Sequence, residues 1–291
     1  MPQSPTLINN VSDTALWVAY YRAKETDRLN SLFKDPLAKR LIGERGKQIA
    51  LQMEKVGRHS EFTVVMRTVI IDDFINESLN QVDTVVNLGA GLDTRPYRMD
   101  LPENLNWIEV DYPHLIQYKN EVLKNEIPKC HLQRVAVDLA DDQKRKEFLQ
   151  AIALKSKKAL IITEGVILYL TEDQVAALAN DLHAFPQFAF WIAEYMDPKI
   201  YRYLQTPERM KKMKNAPFKF FPTDWLGFFK KNSWVPIDIK YFGIEGAKHN
   251  RYMPMPWWAI LFRLLAPKAT LEKSRSMAGF MLLKQANQSD K

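Results

Sequence analysis

The sequence predicts an α/β fold built on a mostly parallel sheet, and three observations carry that prediction. Short apolar, β-branched runs alternate with helical segments from residue 84 onward, the pattern of a parallel sheet with helices on both faces. The runs show little polar alternation, as strands buried on both sides do. Four consecutive runs end in a glycine or polar signal, and in open α/β sheets ligands bind beyond the carboxyl ends of the strands.

Residues 1–80 read as a helical N-terminal extension. The pattern from Thr14 to Ile42 is helical, with Trp17, Tyr20, Tyr21 and Ala23 leading into a helix start at Asp35-Pro36-Leu37. A second stretch, from Glu61 to Leu79, carries Phe62, Val65, Met66, Val69, Ile70 and Phe74 at core-packing spacing. Residues 81–198 form the expected cofactor-binding core. Its strands are Thr84 to Leu88, Asn106 to Asp111, His131 to Val137, Lys158 to Thr163 and Phe188 to Tyr195, with helices notably at Pro113 to Asn125 and Glu172 to His183. Beyond Pro198 the alternation breaks down, and residues 199–291 read as an acceptor lid with the final strands. Trp234 to Phe242 and Met277 to Lys284 are expected to pair at the sheet edge. The aromatic stretch Trp257 to Leu265 is expected to pack within the lid, to wall an acceptor pocket, or to lie on a membrane surface. We expect residues 1–291 to form a single domain.

Composition narrows the function classes. Hydrophobic residues make up 46% and charged residues 26% of the 291, ordinary for a globular protein. Forty-one Lys and Arg against 34 Asp and Glu give a net charge of +7. These charges are scattered rather than massed on one run, which argues for a solvated surface and against nucleic-acid binding. Cys130 is the only cysteine, so an intramolecular disulfide and a cysteine-built metal site are excluded, and no metal is expected. Residues 1–10 lack the basic start and apolar run of a signal peptide. No apolar stretch reaches the roughly twenty residues that cross a bilayer. The expected location is the cytoplasm, with little membrane contact; the oligomeric state is not assigned.

The chemistry sits in four strand ends. Gly89-Ala90-Gly91 follows the first strand, where glycines permit a tight turn and a close ligand approach. A nicotinamide dinucleotide site would carry a third glycine at Thr94 and set pyrophosphate on the helix N-terminus. Asp93 beside Thr94 would repel pyrophosphate yet tolerate a cationic sulfonium. Asp111 ends the second strand, where a carboxylate can accept both hydroxyls of an adenosine ribose. Glu109 lies on the same face by alternation and remains its substitute. Asp138 and Leu139 end the third strand, one as acceptor for an adenine amine and the other as packing for its ring. Glu164, ahead of Gly165, ends the fourth, where it can hold the amino group of a methionine moiety.

The run Asn87-Leu88-Gly89-Ala90-Gly91-Leu92-Asp93-Thr94-Arg95-Pro96-Tyr97-Arg98 closely resembles the glycine motif of the leucine carboxyl methyltransferase family. Glu109-Val110-Asp111-Tyr112-Pro113 and Glu164-Gly165-Val166-Ile167-Leu168-Tyr169-Leu170 resemble two further family motifs, in the family's order. So does the Trp17 to Ala38 region with its Arg22-Ala23-Lys24-Glu25 and Phe33-Lys34-Asp35-Pro36 pieces. The resemblance covers residues from about 12 to 200 and implies a Rossmann-like class I methyltransferase fold, with a seven-stranded sheet. It further implies S-adenosyl-L-methionine as cofactor, held at Gly89, Ala90, Gly91, Asp111, Asp138, Leu139 and Glu164. Arg67 falls where the family grips the methionine carboxylate, and Lys24 or Arg22 falls near a family lysine of similar role.

The implied reaction is methyl transfer to a small acceptor, acidic or phenolic, by positioning and exclusion of water. A carboxylate acceptor needs no general base, whereas a phenol benefits from one. No residue stands out as a base or as catalytic. Tyr169, His249 and Arg251 are the expected acceptor contacts, and His183 reads as structural. The readings carried forward are a small-molecule O-methyltransferase, a protein C-terminal carboxyl methyltransferase and a non-catalytic cofactor-binding protein.

Overall fold

Apolar runs buried on both faces make the sheet that the alternation predicts. A computed structural model describes residues 12–53, 59–255 and 266–286. The strands are β1 (Thr84–Leu88), β2 (Asn106–Asp111), β3 (His131–Ala136), β4 (Ala159–Ile162), β5 (Phe188–Met196), β6 (Trp234–Tyr241) and β7 (Ala278–Gln285). They form one sheet in the order β3-β2-β1-β4-β5-β7-β6. The first five are parallel, and β7 inserts antiparallel between β5 and β6. The two late strands therefore pair at the edge as the sequence predicts.

Alternation along β1 divides the core. Val86 and Leu88 join Trp191, Trp225, Phe229 and Trp234 on one face. Val85 faces the other way and packs with Trp107, Leu160 and Ile162 against Phe62, Met66 and Phe74 of helix α3 (Ser60–Ser78). The strand order reverses about β1, between β2 and β4, which is where an open sheet leaves its crevice. The register sets Leu88 beside Val110 and Asn87 beside Ile162, so the ends of β1, β2 and β4 come level.

The helical extension starts its second helix at Pro36, where the sequence places a helix start. Helix α1 (Ser12–Thr26) and helix α2 (Pro36–Met53) are separate, and they pack on each other. A buried contact explains the break: Arg22 Nε donates to Asp35 Oδ2 at 2.8 Å, and Asp35 Oδ1 accepts from Ala38 N at 3.0 Å. Asp35 thereby caps α2, with Pro36 at the first helical position where its missing N–H costs nothing.

Between the parallel strands run α4 (Arg95–Arg98), α5 (Pro113–Val122), α6 (Asp142–Ala153) and α7 (Glu172–His183). Helix α7 opens on a capping box between Thr171 and Gln174. After β5 come α8 (Tyr201–Leu204), α9 (Pro207–Lys212), α10 (Trp225–Lys231), α11 (Phe242–Lys248) and α12 (Lys268–Arg275). The Trp257 to Leu265 stretch lies outside the described residues. Among those described, no helix is long and apolar enough to cross a membrane.

Candidate functional site

The turn after β1 is shaped by neighbours that leave no room for side chains. Gly89 has φ +71°, and a Cβ there would meet Val166 Cγ2 at 2.4 Å. Gly91 has φ +49°; only glycine adopts such angles without strain. The amides of Gly89 and Ala90 both donate to Val110 O, at 2.8 and 3.0 Å, lashing the turn to the end of β2.

That lashing brings Asp111 to the turn. Its Oδ2 accepts from Gly91 N at 2.6 Å and its Oδ1 from Tyr112 N at 2.7 Å. Burial raises the pKa of its carboxyl, against the pull of those two N–H groups. A carboxylate offers about four lone-pair sites, so each oxygen keeps one for a ligand hydroxyl. Glu109, the sequence alternative, is instead fully buried and held at 2.8 Å by both Lys119 and Arg134. It supports the sheet and does not line the crevice.

Behind the turn lies a buried cluster of ion pairs. Asp93 accepts from Asn87 Nδ2 at 2.8 Å, from Arg95 N at 3.0 Å and from Arg95 Nη1 at 3.0 Å. Arg95 Nη1 also donates to Glu164 Oε2 at 2.6 Å, and Arg67 Nε lies 2.8 Å from Glu164 Oε1. Asp72 pairs with Arg95 and Arg98, at 2.7 Å each. Burial by itself would raise the Asp93 and Glu164 carboxyls; Arg95 beside both, and Arg67 beside Glu164, bring them below their ordinary values. Removing any one member would strand a buried charge, a loss of about 3–5 kcal/mol.

Arg67, Asn87, Asp93 and Glu164 of this cluster line a cavity of about 980 Å³, the upper end of a small-molecule site. Arg67, Gly89, Ala90, Gly91, Asp111, Leu139, Glu164 and Tyr169 all line it. Val137 and Ala140 flank Leu139 there. The outer walls are apolar, with Met196, Met213, Phe218, Phe242, Met253 and Met277. Tyr169 packs edge-on against Phe218, with ring centroids 5.2 Å apart.

Several assignments are corrected. Lys24 does not line the cavity; its Nζ donates to Glu61 at 2.6 Å on the outer surface of the extension. Arg22 lines it instead, held by Asp35 and the carbonyl of Leu92, because the helix face that looks inward passes through residue 22. Asp138 is also outside the lining, since its Oδ1 turns back to accept from Ala140 N at 2.9 Å. His249 caps the end of α11, exposed and away from the cavity. Arg251 does line the cavity, but its Nη2 is committed to Glu25 Oε1 at 2.9 Å and to Asn30 O at 2.6 Å. Glu164 is not a bare carboxylate awaiting a cation; Arg67 and Arg95 already hold both its oxygens.

Two residues were not singled out by the sequence reading. Asn87 was legible as the one polar side chain within the buried β1 run after Thr84, and it lines the floor. Val166, the residue that forbids a side chain at Gly89, gave no signal of its own.

The turn leads into only four residues of helix, α4, and carries Thr94, beside the ion-paired Asp93, where a dinucleotide site needs glycine and a long helix N-terminus. Such a turn, on this sheet, defines a Rossmann-like methyltransferase fold. Solved structures agree: a DUF574 family protein from Streptomyces avermitilis superposes with a TM-score of 0.60, covering 94% of this chain and 97% of that one at 9% identity. A structure described as a candidate methyltransferase from Thermobifida fusca gives 0.56, covering 86% and 94% at 13% identity. The profile described as leucine carboxyl methyltransferase matches residues 15–183, and the chain belongs to that family. A protein of Streptomyces coelicolor, named as a candidate S-adenosyl-L-methionine-dependent methyltransferase, is 36% identical over 179 residues, 57% of this chain and 62% of its own length. A similarly named protein of Streptomyces avermitilis is 37% identical over 185 residues, 59% of this chain and 64% of its own. The chain thus spans less than two thirds of the length of these curated relatives.

Proposed function

We propose that the protein is an S-adenosyl-L-methionine-dependent O-methyltransferase acting on the carboxylate of a small, largely apolar molecule. The observation that carries this reading is the convergence of Gly89, Gly91, Asp111, Leu139, Arg67 and Glu164 on one cavity. Their chemistry fits the cofactor. Asp111 has a free lone pair on each oxygen for ribose hydroxyls, Leu139 offers an apolar surface to a base, and Arg67 offers a cation to a carboxylate. When bound, S-adenosylmethionine supplies an electrophilic methyl group on a sulfonium.

The outer half argues the acceptor. Its methionine and aromatic walls suit an apolar body. Arg275 and Lys219 line it without an ion pair to any described residue, and two uncompensated cations suit an anion. An anionic carboxylate needs no proton removed, so the chain's task is to hold it and exclude water. Gly243 helps: a Cβ there would lie 2.7 Å from the Cα and from the carbonyl oxygen of Arg275, so the glycine lets α11 and α12 close together beside the cavity.

Calorimetric titration with S-adenosylhomocysteine, with NADH in parallel, tests the cofactor. We expect micromolar binding of the first alone, and at least a tenfold loss in Asp111→Ala from two charge-assisted bonds. Silence from folded wild-type protein would remove the reading. Methyl-ester formation across a panel of apolar carboxylic acids and the matching phenols then tests the acceptor; phenol ethers without esters would overturn the carboxylate.

A further inference from the structure

The chain's positive excess is concentrated on the outer wall of the cavity. Basic residues occur throughout the sequence, but residues 199–219 hold seven of the 41 and only one of the 34 acids, Glu208, so this stretch carries +6 of the net +7. Burial sorts the stretch into two sides. Ile200, Leu204, Met213 and Phe218 line the cavity, whereas Lys199, Arg202, Lys211, Lys214 and Lys219 are exposed. Lys199 pairs with Asp197 at 3.7 Å. The other four form no ion pair with a described residue.

Apolar side chains stand out among these cations. Tyr203 is 60% exposed and Met210 59%, and the Arg202 guanidinium lies over the Tyr203 ring, 4.9 Å from its centroid. Tyr252, Met253 and Met255 are also exposed, and with Tyr203 they line the cavity, so they stand where it meets solvent. Unpaired lysines interleaved with bare Met and Tyr match an anionic lipid surface in both respects. Its negative potential attracts a cluster of Lys and Arg, each worth roughly fivefold in binding. Its headgroup layer takes up amphipathic Tyr and apolar Met. A nucleic acid or an acidic protein would answer the charge and leave the methionines unused.

We propose that the 199–219 stretch, with the rim at Tyr252, Met253 and Met255, docks the protein on the surface of an anionic lipid bilayer, the cavity mouth facing the lipid. The docking goes beyond methyl transfer and does not require it. Its consequence, entry of an apolar acceptor straight from the bilayer, rests on the acceptor proposed above. The expectation of little membrane contact was weighed on the Trp257 to Leu265 stretch and on scattered charge; the docking surface is made of other residues.

Co-sedimentation of the full chain with vesicles tests it. Wild-type protein should pellet with phosphatidylcholine vesicles containing roughly a third phosphatidylglycerol and stay in solution with phosphatidylcholine alone. Raising salt from about 0.05 M to about 0.5 M should release most of it. Lys211→Gln combined with Lys214→Gln removes two cations and should weaken the partition about thirtyfold. Met210→Ser, at unchanged charge, should weaken it several-fold. S-adenosylhomocysteine affinity should stay within twofold of wild type in these variants, because neither lysine nor Met210 lines the cavity. The proposal is overturned if the wild type ignores anionic vesicles, if it pellets equally with neutral ones, or if the double lysine variant pellets like wild type. Binding to soluble poly-glutamate or single-stranded DNA in place of vesicles also overturns it, and assigns the surface to an acidic protein or a nucleic acid. Silence to S-adenosylhomocysteine with vesicle binding intact would remove the cofactor reading and leave the docking standing.

Discussion

Replacing Glu194 by glutamine should make the protein more stable at alkaline pH and change little at acid pH. Glu194 sits on β5, 4% exposed, with Oε1 accepting from Gly165 N and Oε2 without a partner among the described residues. Burial pushes its carboxyl from an ordinary 4.5 up to about 7; the amides of Glu194 and Gly165 and the charge of Arg67 pull the other way, and Glu164 adds to the rise. The native carboxyl thus holds its proton more tightly than the unfolded one. Its contribution to stability is complete below about pH 4.5, declines as pH rises, and is gone above about pH 7. The gap between those values corresponds to about 3 kcal/mol. Glutamine keeps the acceptor for Gly165 N and never ionises. Urea unfolding of both proteins at pH 4.5 and pH 8.5 measures the effect, and the variant should gain about 3 kcal/mol on wild type between the two. Parallel pH profiles would refute the reasoning, because Glu194 would then titrate alike in the native and unfolded chains.

Further tests follow from contacts at the site. Gly89→Ala should cost about 1–3 kcal/mol by thermal melting, from the positive φ and the overlap with Val166. Adding Val166→Ala should recover only the overlap, and full recovery would show that the backbone angle costs nothing. Arg251→Ala should cost about 1–3 kcal/mol, because buried Glu25 loses its nearer cation and keeps only Arg28, 3.4 Å away, and the Leu32 amide. Glu25→Gln in the same chain should return part of that loss, and additive losses in the double variant would refute the pairing. Glu109→Gln should leave S-adenosylhomocysteine affinity within twofold of wild type, since Glu109 belongs to Lys119 and Arg134; a tenfold loss would return it to the site.

The sheet was readable because its information is local. Val85-Val86 and Leu160-Ile161-Ile162 are apolar in both directions, which only a strand buried on two faces requires, and each run stops at a residue that signals a turn or a ligand. The same locality exposed Gly89, Gly91 and Asp111. What stayed hidden depends on partners far along the chain. Glu164 looks free until Arg95, 69 residues earlier, is seen to hold it. Choosing Arg22 over Lys24 required the packing of α1 and the Arg22–Asp35 pair. Asp138 stands at the third strand end, yet one of its carboxylate oxygens turns back to accept from Ala140 N and the residue does not line the cavity. The patterns locate strand ends well; they do not show how a side chain is engaged there.

The ion pairs behind the glycine turn carry a consequence for ionic strength. Asp72, Asp93 and Glu164 are paired with Arg67, Arg95 and Arg98, largely shielded from solvent, and salt screens such pairs only weakly. Arg275 and Lys219, on the outer half, are not paired with described residues, and attraction between exposed charges fades beyond about 10 Å at 0.1 M salt. Adding salt should therefore leave the affinity for a zwitterionic cofactor tail nearly level while weakening the capture of an anionic acceptor. Salt would act on the two halves of one cavity separately, slowing the entry of one ligand without loosening the other.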